Sequence, residues 1–186
     1  MARRTILVDS GVYLRLARHV HPMLDTPFGA DGHRLHIIAE FETEYGKQER
    51  LHAIHPWVND AQYSANRTSP VVLPHELLQR HTGAVRVVDE CAWEQDIALS
   101  RVDISALATA LLLECWLATD DTGLRDVALI LGVETVGSVE LLRFLVDEGR
   151  LADDDAVDVL EYLTSLPDLP ASFQYDCGRH FPGFGC

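Results

Sequence analysis

Short apolar runs alternate with amphipathic stretches along much of the chain. Residues 5–8 form a β-branched apolar run, which the polar and small residues 9–11 separate from helically spaced apolar residues at 12–17. This pattern is typical of a strand that leads into a helix. A second strand at residues 35–38 and a helix from about residue 40 to residue 51 repeat the pattern. The beginning of the chain therefore predicts two strand–helix units.

The pattern is sharpest after residue 100, where it predicts two more strands and four more helices. The strands are at 115–119 and 134–136, and the helices are at 103–114, 122–131, 139–148 and 153–163. Between the two halves we expect irregular structure at 55–69, a short helix at 74–80 and a strand at 85–88. From residue 167 onward the prolines, glycines and aromatic residues show no periodicity.

Strands that alternate with helices predict an α/β fold with a central, mostly parallel sheet in a three-layer α/β/α arrangement. The length of 186 residues favours a single domain. We expect this domain to span residues 1–166, with an enlarged middle segment at about 46–99. Residues 167–186 are expected to form a tail that packs on the body. Ligands of such sheets bind beyond the carboxyl ends of the strands.

Composition and charge restrict the classes of function. The longest apolar run, at 106–113, is shorter than the ~20 residues that cross a bilayer. We therefore expect no membrane association, and without the pattern of a secretory signal we expect a cytoplasmic location. The formal net charge is −14, which disfavours broad electrostatic binding to nucleic acids. Lys47 is the single lysine of the chain, so Schiff-base chemistry and Walker-type nucleotide binding are disfavoured.

Acidic residues follow three of the predicted strands. These residues are Asp9, Glu40, Glu44, Asp120 and Asp121. Asp103 opens a helix that precedes the strand at 115–119, so we expect its side chain at the same edge of the sheet. Two carboxylates ~5 Å apart repel by roughly 3 kcal/mol at an effective dielectric constant near 20. A hard divalent cation such as Mg²⁺ or Mn²⁺ would relieve that repulsion, and oxygen ligands suit both ions.

Each acid also has a purely structural interpretation as part of a helix. Asp9 or Ser10 is suited to cap the first helix, and Ser100 with Asp103 fits a capping box. Asp120 or Asp121 is suited to cap the next helix, and Glu40 and Glu44 fit a solvated helix face. Capping would accept Ser, Thr or Asn as readily as Asp. The presence of an acid at every one of these positions therefore favours a shared site.

Four segments of the chain, in this order, resemble the motifs of PIN domains, which include the VapC-like toxins. They are Thr5-Ile6-Leu7-Val8-Asp9-Ser10, Phe41-x-x-Glu44-Tyr45, Asp103-x-x-Ala106-Leu107-Ala108-x-Ala110 and Leu117-Ala118-Thr119-Asp120-Asp121-x-x-Leu124-Arg125-x-x-Ala128. Residues 131–138 resemble the closing strand of the family. The resemblance covers residues 5–148 in outline and is strongest at 5–17 and 100–142. It implies a PIN-like fold.

The resemblance also implies a metal-dependent endoribonuclease that hydrolyses RNA phosphodiester bonds with one or two Mg²⁺ or Mn²⁺ ions. The implied catalytic residues are Asp9, Glu44, Asp103 and Asp121, and the implied metal ligands are these four and Asp120. The choice between Asp120 and Asp121 stays open, as does the choice among Glu40, Glu42 and Glu44 on one helix. Ser10 and Glu40 are the second choices for the site.

The resemblance and the residues themselves together imply the partners of the protein. The substrate would be RNA, guided by Arg50, Arg67, Arg80 and Arg86 and stacked on Trp57, Tyr63 or Trp93. A toxin would have an antitoxin protein as its partner. The apolar helices at 139–145 and 157–163 suit a homodimer interface as well as they suit a core, and we expect a homodimer. The alternative is a catalytically silent PIN-like module that binds other proteins in a larger assembly.

Overall fold

A four-stranded, entirely parallel sheet lies at the centre of the computed structural model, which describes residues 5–185. Its strands are β1 (Thr5–Val8), β2 (Arg34–His36), β3 (Trp116–Ala118) and β4 (Thr135–Val136). Their order across the sheet is β2-β1-β3-β4. Leu7 of β1 is in register with His36 on one side and with Leu117 on the other. The four strands predicted at 5–8, 35–38, 115–119 and 134–136 are therefore confirmed in number and approximate position.

Helices account for most of the remaining chain. They are α1 (Ser10–Leu16), α2 (Glu40–Lys47), α3 (Glu49–Ile54), α4 (Ala61–Asn66), α5 (His75–Glu94), α6 (Arg101–Leu113), α7 (Thr122–Ile130), α8 (Ser138–Asp147), α9 (Asp153–Thr164) and α10 (Phe173–His180). A 3-10 turn at Pro56–Asn59 lies between α3 and α4. Within residues 5–185, no helix combines the length and the apolar character needed to cross a bilayer.

Alternating residues of the strands pack into two separate apolar cores. Ile6 and Val8 face the first core, which α1, α2, α8, α9 and α10 complete. Leu7 and Leu117 face the second core, which α5, α6 and α7 complete. Because successive side chains of a strand point to opposite faces, helices cover both faces of the sheet. The predicted three-layer α/β/α fold is confirmed.

The predictions for the middle of the chain were wrong at several points. The expected helix at 74–80 and strand at 85–88 are one 20-residue helix, α5. Three valines near its centre resemble a strand locally, since β-branched residues favour strands. Ala84, Val88 and Ala92, however, recur every four residues and are buried in the second core. Packing of this stripe against neighbouring helices outweighs the local preference.

The segment from residue 40 to residue 66 also differs from its prediction. The expected helix at 40–51 divides into α2 and α3 at Gln48, whose φ of −110° and ψ of 91° are extended. The expected irregular stretch contains the 3-10 turn and α4. The Tyr45 hydroxyl donates to the carbonyl oxygen of His55 at 2.8 Å, which ties α2 to the end of α3.

The C-terminal region packs on the first core and contains a helix that lacked a sequence signal. Phe173 and Cys177 of α10 are buried, as is Phe181 just after it. The apolar residues that favoured a homodimer through α8 and α9 are buried in the same core, among them Leu142 and Leu160. A core was the other use expected of these helices, and the structure shows that use; the homodimer stays a prediction.

Candidate functional site

The carboxyl ends of β1 and β3 lie side by side at the middle of the sheet. The backbone N–H of Asp9 donates to the carbonyl oxygen of Ala118 at 3.0 Å. The N–H of Thr119 donates to the carbonyl oxygen of Val136 at 2.9 Å. The chain leaves β1 for β2 on one side and later returns to β3 on the other. Such a reversal of direction opens a crevice in which α/β proteins commonly bind ligands.

A cavity of about 300 Å³ opens at this crevice. Its walls are formed by Asp9, Ser10, Gly11, Arg15, Glu44, Asp103, Asp120, Asp121 and Pro170. The structure thus brings together five of the six acids that were expected to share one edge of the sheet, all except Glu40, and Ser10 with them. They come from the N-terminal ends of α1 and α7, the first turn of α6 and the middle of α2.

The carboxyl group of Asp9 is the most strongly perturbed acid of the cavity. Its Oδ1 accepts a hydrogen bond from the N–H of Val12 at 2.7 Å, which makes Asp9 the N-cap of α1. Burial raises the pKa of Asp9 from 3.8 to about 7, and the negative charge of Asp120 adds to this. Hydrogen bonds from Thr119 and Val12 and the charge of Arg15 act in the opposite direction. The ionised form of Asp9 is therefore short of compensating positive charge.

Asp103 and Asp121 each serve as a helix cap and line the cavity at the same time. Oδ1 of Asp121 accepts from the N–H of Leu124 at 2.7 Å and caps α7. Oδ2 of Asp103 accepts from the N–H of Ser100 at 3.1 Å, as part of the predicted capping box of α6. Each cap uses one carboxylate oxygen. In the part of the chain that the structure describes, the second oxygen of each has no hydrogen-bond donor.

The three glutamates of α2 have different surroundings. Glu44 lines the cavity and accepts a short hydrogen bond at Oε2 from the hydroxyl of Ser10. Glu40 is not part of the cavity wall, and its Oε1 accepts from the hydroxyl of Ser105 at 2.7 Å. Glu42 pairs with a buried arginine on another side of the helix. The geometry therefore favours Glu44 over Glu40 as the glutamate of the site.

Asp120 differs from its neighbour Asp121 because the protein already occupies both of its oxygens. Oδ1 accepts from the N–H of Ser138 at 2.8 Å. Oδ2 accepts from the Ser138 hydroxyl and from Nη1 of Arg15 at 3.0 Å. The Asp120 side chain is only 5% exposed. A Cβ atom at Gly137 would lie 3.1 Å from Oδ1, so glycine permits this close approach. The geometry favours Asp121 as the more available acid.

Arg15 and Asp168 belong to the site although neither was predicted. Nη2 of Arg15 donates to the backbone carbonyl of Asp168 at 2.9 Å and lies 3.6 Å from its Oδ2. A Cβ atom at Gly11 would lie 3.1 Å from Nη1 of Arg15 and 3.5 Å from Oδ1 of Asp9, so the guanidinium folds back toward the start of α1. The sequence contained a signal for Arg15, because it is a basic residue on α1, the short helix that Asp9 caps. Asp168 lies in a stretch without periodicity and carried none.

Three residues that were expected to contact RNA lie in the core of the protein. Two of them were expected to stack on RNA bases and one to guide the RNA backbone. Trp57 and Tyr63 are buried. The side chain of Arg67 is 1% exposed, and it donates to Glu42 at 2.7 Å and to the Tyr13 hydroxyl at 3.2 Å. These three predictions were wrong, because tight packing around α1 and α2 removes the side chains from solvent.

The remaining residues expected to contact RNA are exposed but do not line the cavity. Arg50 and Arg80 are exposed, and Arg86 pairs with Glu90 one turn later on α5 at 2.7 Å. Trp93, near the end of α5, is 82% exposed. Arg125 was not predicted as part of the site, although it lies near Asp120. A Cβ atom at Gly137 would lie 3.6 Å from Nη1 of Arg125 and 3.1 Å from Oδ1 of Asp120. The position of Arg125 five residues after Asp120 was the available signal.

The acids line the cavity from different walls, each fixed by its own local bonds. In their present positions, no three His, Cys, Asp or Glu side chains between residues 5 and 185 are grouped closely enough to hold a metal ion. Family models, curated proteins and solved structures give no match to this chain. The interpretation of the site therefore depends on its own geometry and chemistry.

Proposed function

We propose that the protein is a metal-dependent endoribonuclease with a PIN-like site that hydrolyses phosphodiester bonds of RNA in the cytoplasm. One observation supports this above the others: five carboxylates from four chain segments line a single cavity at the carboxyl ends of β1 and β3. The resemblance to PIN domains adds a biological context, the toxin of a toxin–antitoxin pair, in which an antitoxin would be the protein partner.

The donor set suits Mg²⁺ or Mn²⁺. The cavity offers carboxylate oxygens and a hydroxyl, and among residues 5–185 no imidazole or thiol lines it. Mg²⁺ typically binds one or two carboxylates and keeps several waters. A cavity of about 300 Å³ is large enough for a hydrated ion beside a phosphate group. Widely spaced carboxylates are therefore compatible with such an ion, although they do not form a closed cage.

Residues of the chain have separable roles in this proposal. Asp9, Asp103 and Asp121 would hold the ion through carboxylate oxygens, and Glu44 would do so after release from Ser10. When bound, the ion would lower the pKa of a water molecule and stabilise negative charge on the phosphate. Arg15 lines the same cavity and brings a fixed positive charge to it. The caps formed by Asp9 and Asp121 hold these carboxylates in place before any ligand arrives.

Cleavage of end-labelled single-stranded RNA by the purified protein tests the proposal. We expect activity with Mg²⁺ or Mn²⁺, and none in excess chelator. Asp9→Asn should reduce cleavage by more than about 100-fold. Loss of a residue that only hydrogen-bonds a metal ligand already lowers metal affinity or activity about 10–100-fold, and loss of a ligand should cost more. Asp126→Asn is the matched control, because Asp126 is an exposed acid of α7 outside the cavity. Cleavage that survives chelation or Asp9→Asn would contradict the metal-dependent mechanism.

A second candidate function is a catalytically silent interaction module. The observation that favours it is that every acid of the cavity also makes a structural bond: three act in helix caps, Asp120 pairs with Arg15, and Glu44 accepts from Ser10. A folded wild-type protein that cleaves no RNA, and whose thermal stability is unaffected by Mn²⁺, would favour this module.

A further inference from the structure

The cavity contains a built-in cation. The Arg15 side chain is 12% exposed, and its two terminal nitrogens bond to different parts of the chain. Nη1 donates to Oδ2 of Asp120, and Nη2 donates to the backbone carbonyl of Asp168. These contacts join α1, the loop after β3 and the segment after α9. The guanidinium is therefore held in one position instead of moving freely in solvent.

Asp120 has little capacity to bind anything more. Three hydrogen-bond donors reach its two oxygens: the N–H and the hydroxyl of Ser138, and Arg15. A divalent ion at Asp120 would have to displace at least one of them, and it would then lie beside the guanidinium charge. Asp9, Asp103 and Asp121 have no ion pair with a basic side chain among residues 5–185. The charge of Arg15 acts on Asp9 without a hydrogen bond between them, so the oxygens of Asp9 stay available to an ion.

We infer that Arg15 takes the place of a second divalent cation, so that the cavity binds one metal ion, through one or two carboxylates among Asp9, Asp103 and Asp121. This inference rests on the proposed metal-dependent function. The positive charge that a second ion would bring to a phosphate is supplied by a side chain instead. Asp168 holds that side chain through its backbone carbonyl, and Pro170 lines the cavity, which gives the segment after α9 a part in building the site.

Counting bound Mn²⁺ ions tests the inference without measuring activity. Free Mn²⁺ is quantified by electron paramagnetic resonance during titration of the full chain, and calorimetry provides an independent stoichiometry. We expect one ion per wild-type chain. Arg15→Met fills a similar volume without the charge, and it should bind two ions, because Asp120 then lacks a cation. Arg15→Lys retains the charge and should bind one.

A double substitution and a matched control complete the test. Arg15→Met combined with Asp120→Asn should return the count to one, since the second ion would lose its main ligand. Arg18→Met is the control and should bind one ion, because Arg18 contacts the Tyr162 ring outside the cavity. Circular dichroism establishes which variants are folded. If Arg15→Met does not fold, the wild-type count still decides between one ion and two.

The possible results separate this inference from the proposed function. Two ions per wild-type chain, or one ion in folded Arg15→Met, would overturn the role of Arg15 and leave the metal-dependent mechanism standing. No bound ion in the wild type would overturn the metal site itself, and the inference with it. One ion in the wild type and two in Arg15→Met would support both.

Discussion

Replacing Asp9 with Asn should stabilise the metal-free protein at alkaline pH while abolishing its proposed activity. The Asp9 carboxyl lines the cavity, and burial is the largest cause of its raised pKa. Asn is as good an N-cap as Asp, so its side-chain oxygen can still accept from the N–H of Val12. The substitution therefore removes a poorly solvated negative charge and keeps the start of α1.

The magnitude follows from the pKa of Asp9, which is about 7 in the folded protein against an ordinary value of 3.8. Between these two pH values the folded state binds more protons than the unfolded state, so stability falls as the pH rises. Above about pH 7 both states are ionised, and the full cost is present. The difference corresponds to about 4 kcal/mol, and we expect Asp9→Asn to recover about 2–4 kcal/mol at pH 8.

Urea denaturation of both proteins in chelator, at pH 8 and at pH 4.5, measures this effect. The free energy of unfolding of Asp9→Asn should exceed that of the wild type at pH 8, and the excess should shrink to about 1 kcal/mol at pH 4.5. Asp126→Asn, on the exposed face of α7, should show no such dependence on pH. An Asp9→Asn protein that is less stable than the wild type at pH 8 would refute the argument from burial.

Three further predictions concern the same site and its support. Mn²⁺ should raise the melting temperature of the wild type at pH 8 but not that of Asp9→Asn, since a ligand stabilises the state that binds it; equal shifts in both would argue against Asp9 as a ligand. Arg67→Ala should cost about 2–4 kcal/mol of unfolding free energy by urea denaturation, because it removes a buried, multiply bonded guanidinium, whereas exposed Arg50→Ala should stay within about 0.5 kcal/mol. Ser138→Ala should cost about 1.5–3 kcal/mol in the same assay, because buried Asp120 loses a donor; no loss would show that the remaining donors suffice.

The sheet and the clustering of acids could be predicted because both depend on local signals. β1 and β3 are short apolar runs, and an acid follows each of them within two residues. Parallel pairing then brings the ends of these strands together without further information. Glu44 was identified only among alternatives, because three glutamates share α2 and the packing of that helix decides which one faces the cavity.

The features that could not be predicted depend on contacts between distant segments. The packing of α5 on α6 decides that its valines are helical, because the local spacing of Ala84, Val88 and Ala92 favours a helix while the β-branched valines favour a strand. Arg67 resembles an RNA-binding base in the sequence but fills the space beside Tyr13. The pairing of Arg15 with Asp168 joins residues at opposite ends of the chain, and the residues around Asp168 show no periodicity from which it could have been foreseen.

The pairing of β1 with β3 has a consequence for the time at which the cavity forms during synthesis. Ile6 pairs with Trp116, and the two are separated by 110 positions in the chain. At ~5–20 residues per second, a ribosome needs roughly 5–20 s to add the second partner after the first. Three of the five cavity carboxylates are made before Trp116, Asp120 and Asp121 are made just after it, and Asp168 follows later still. A nascent chain of this protein therefore remains without its pocket for most of its translation.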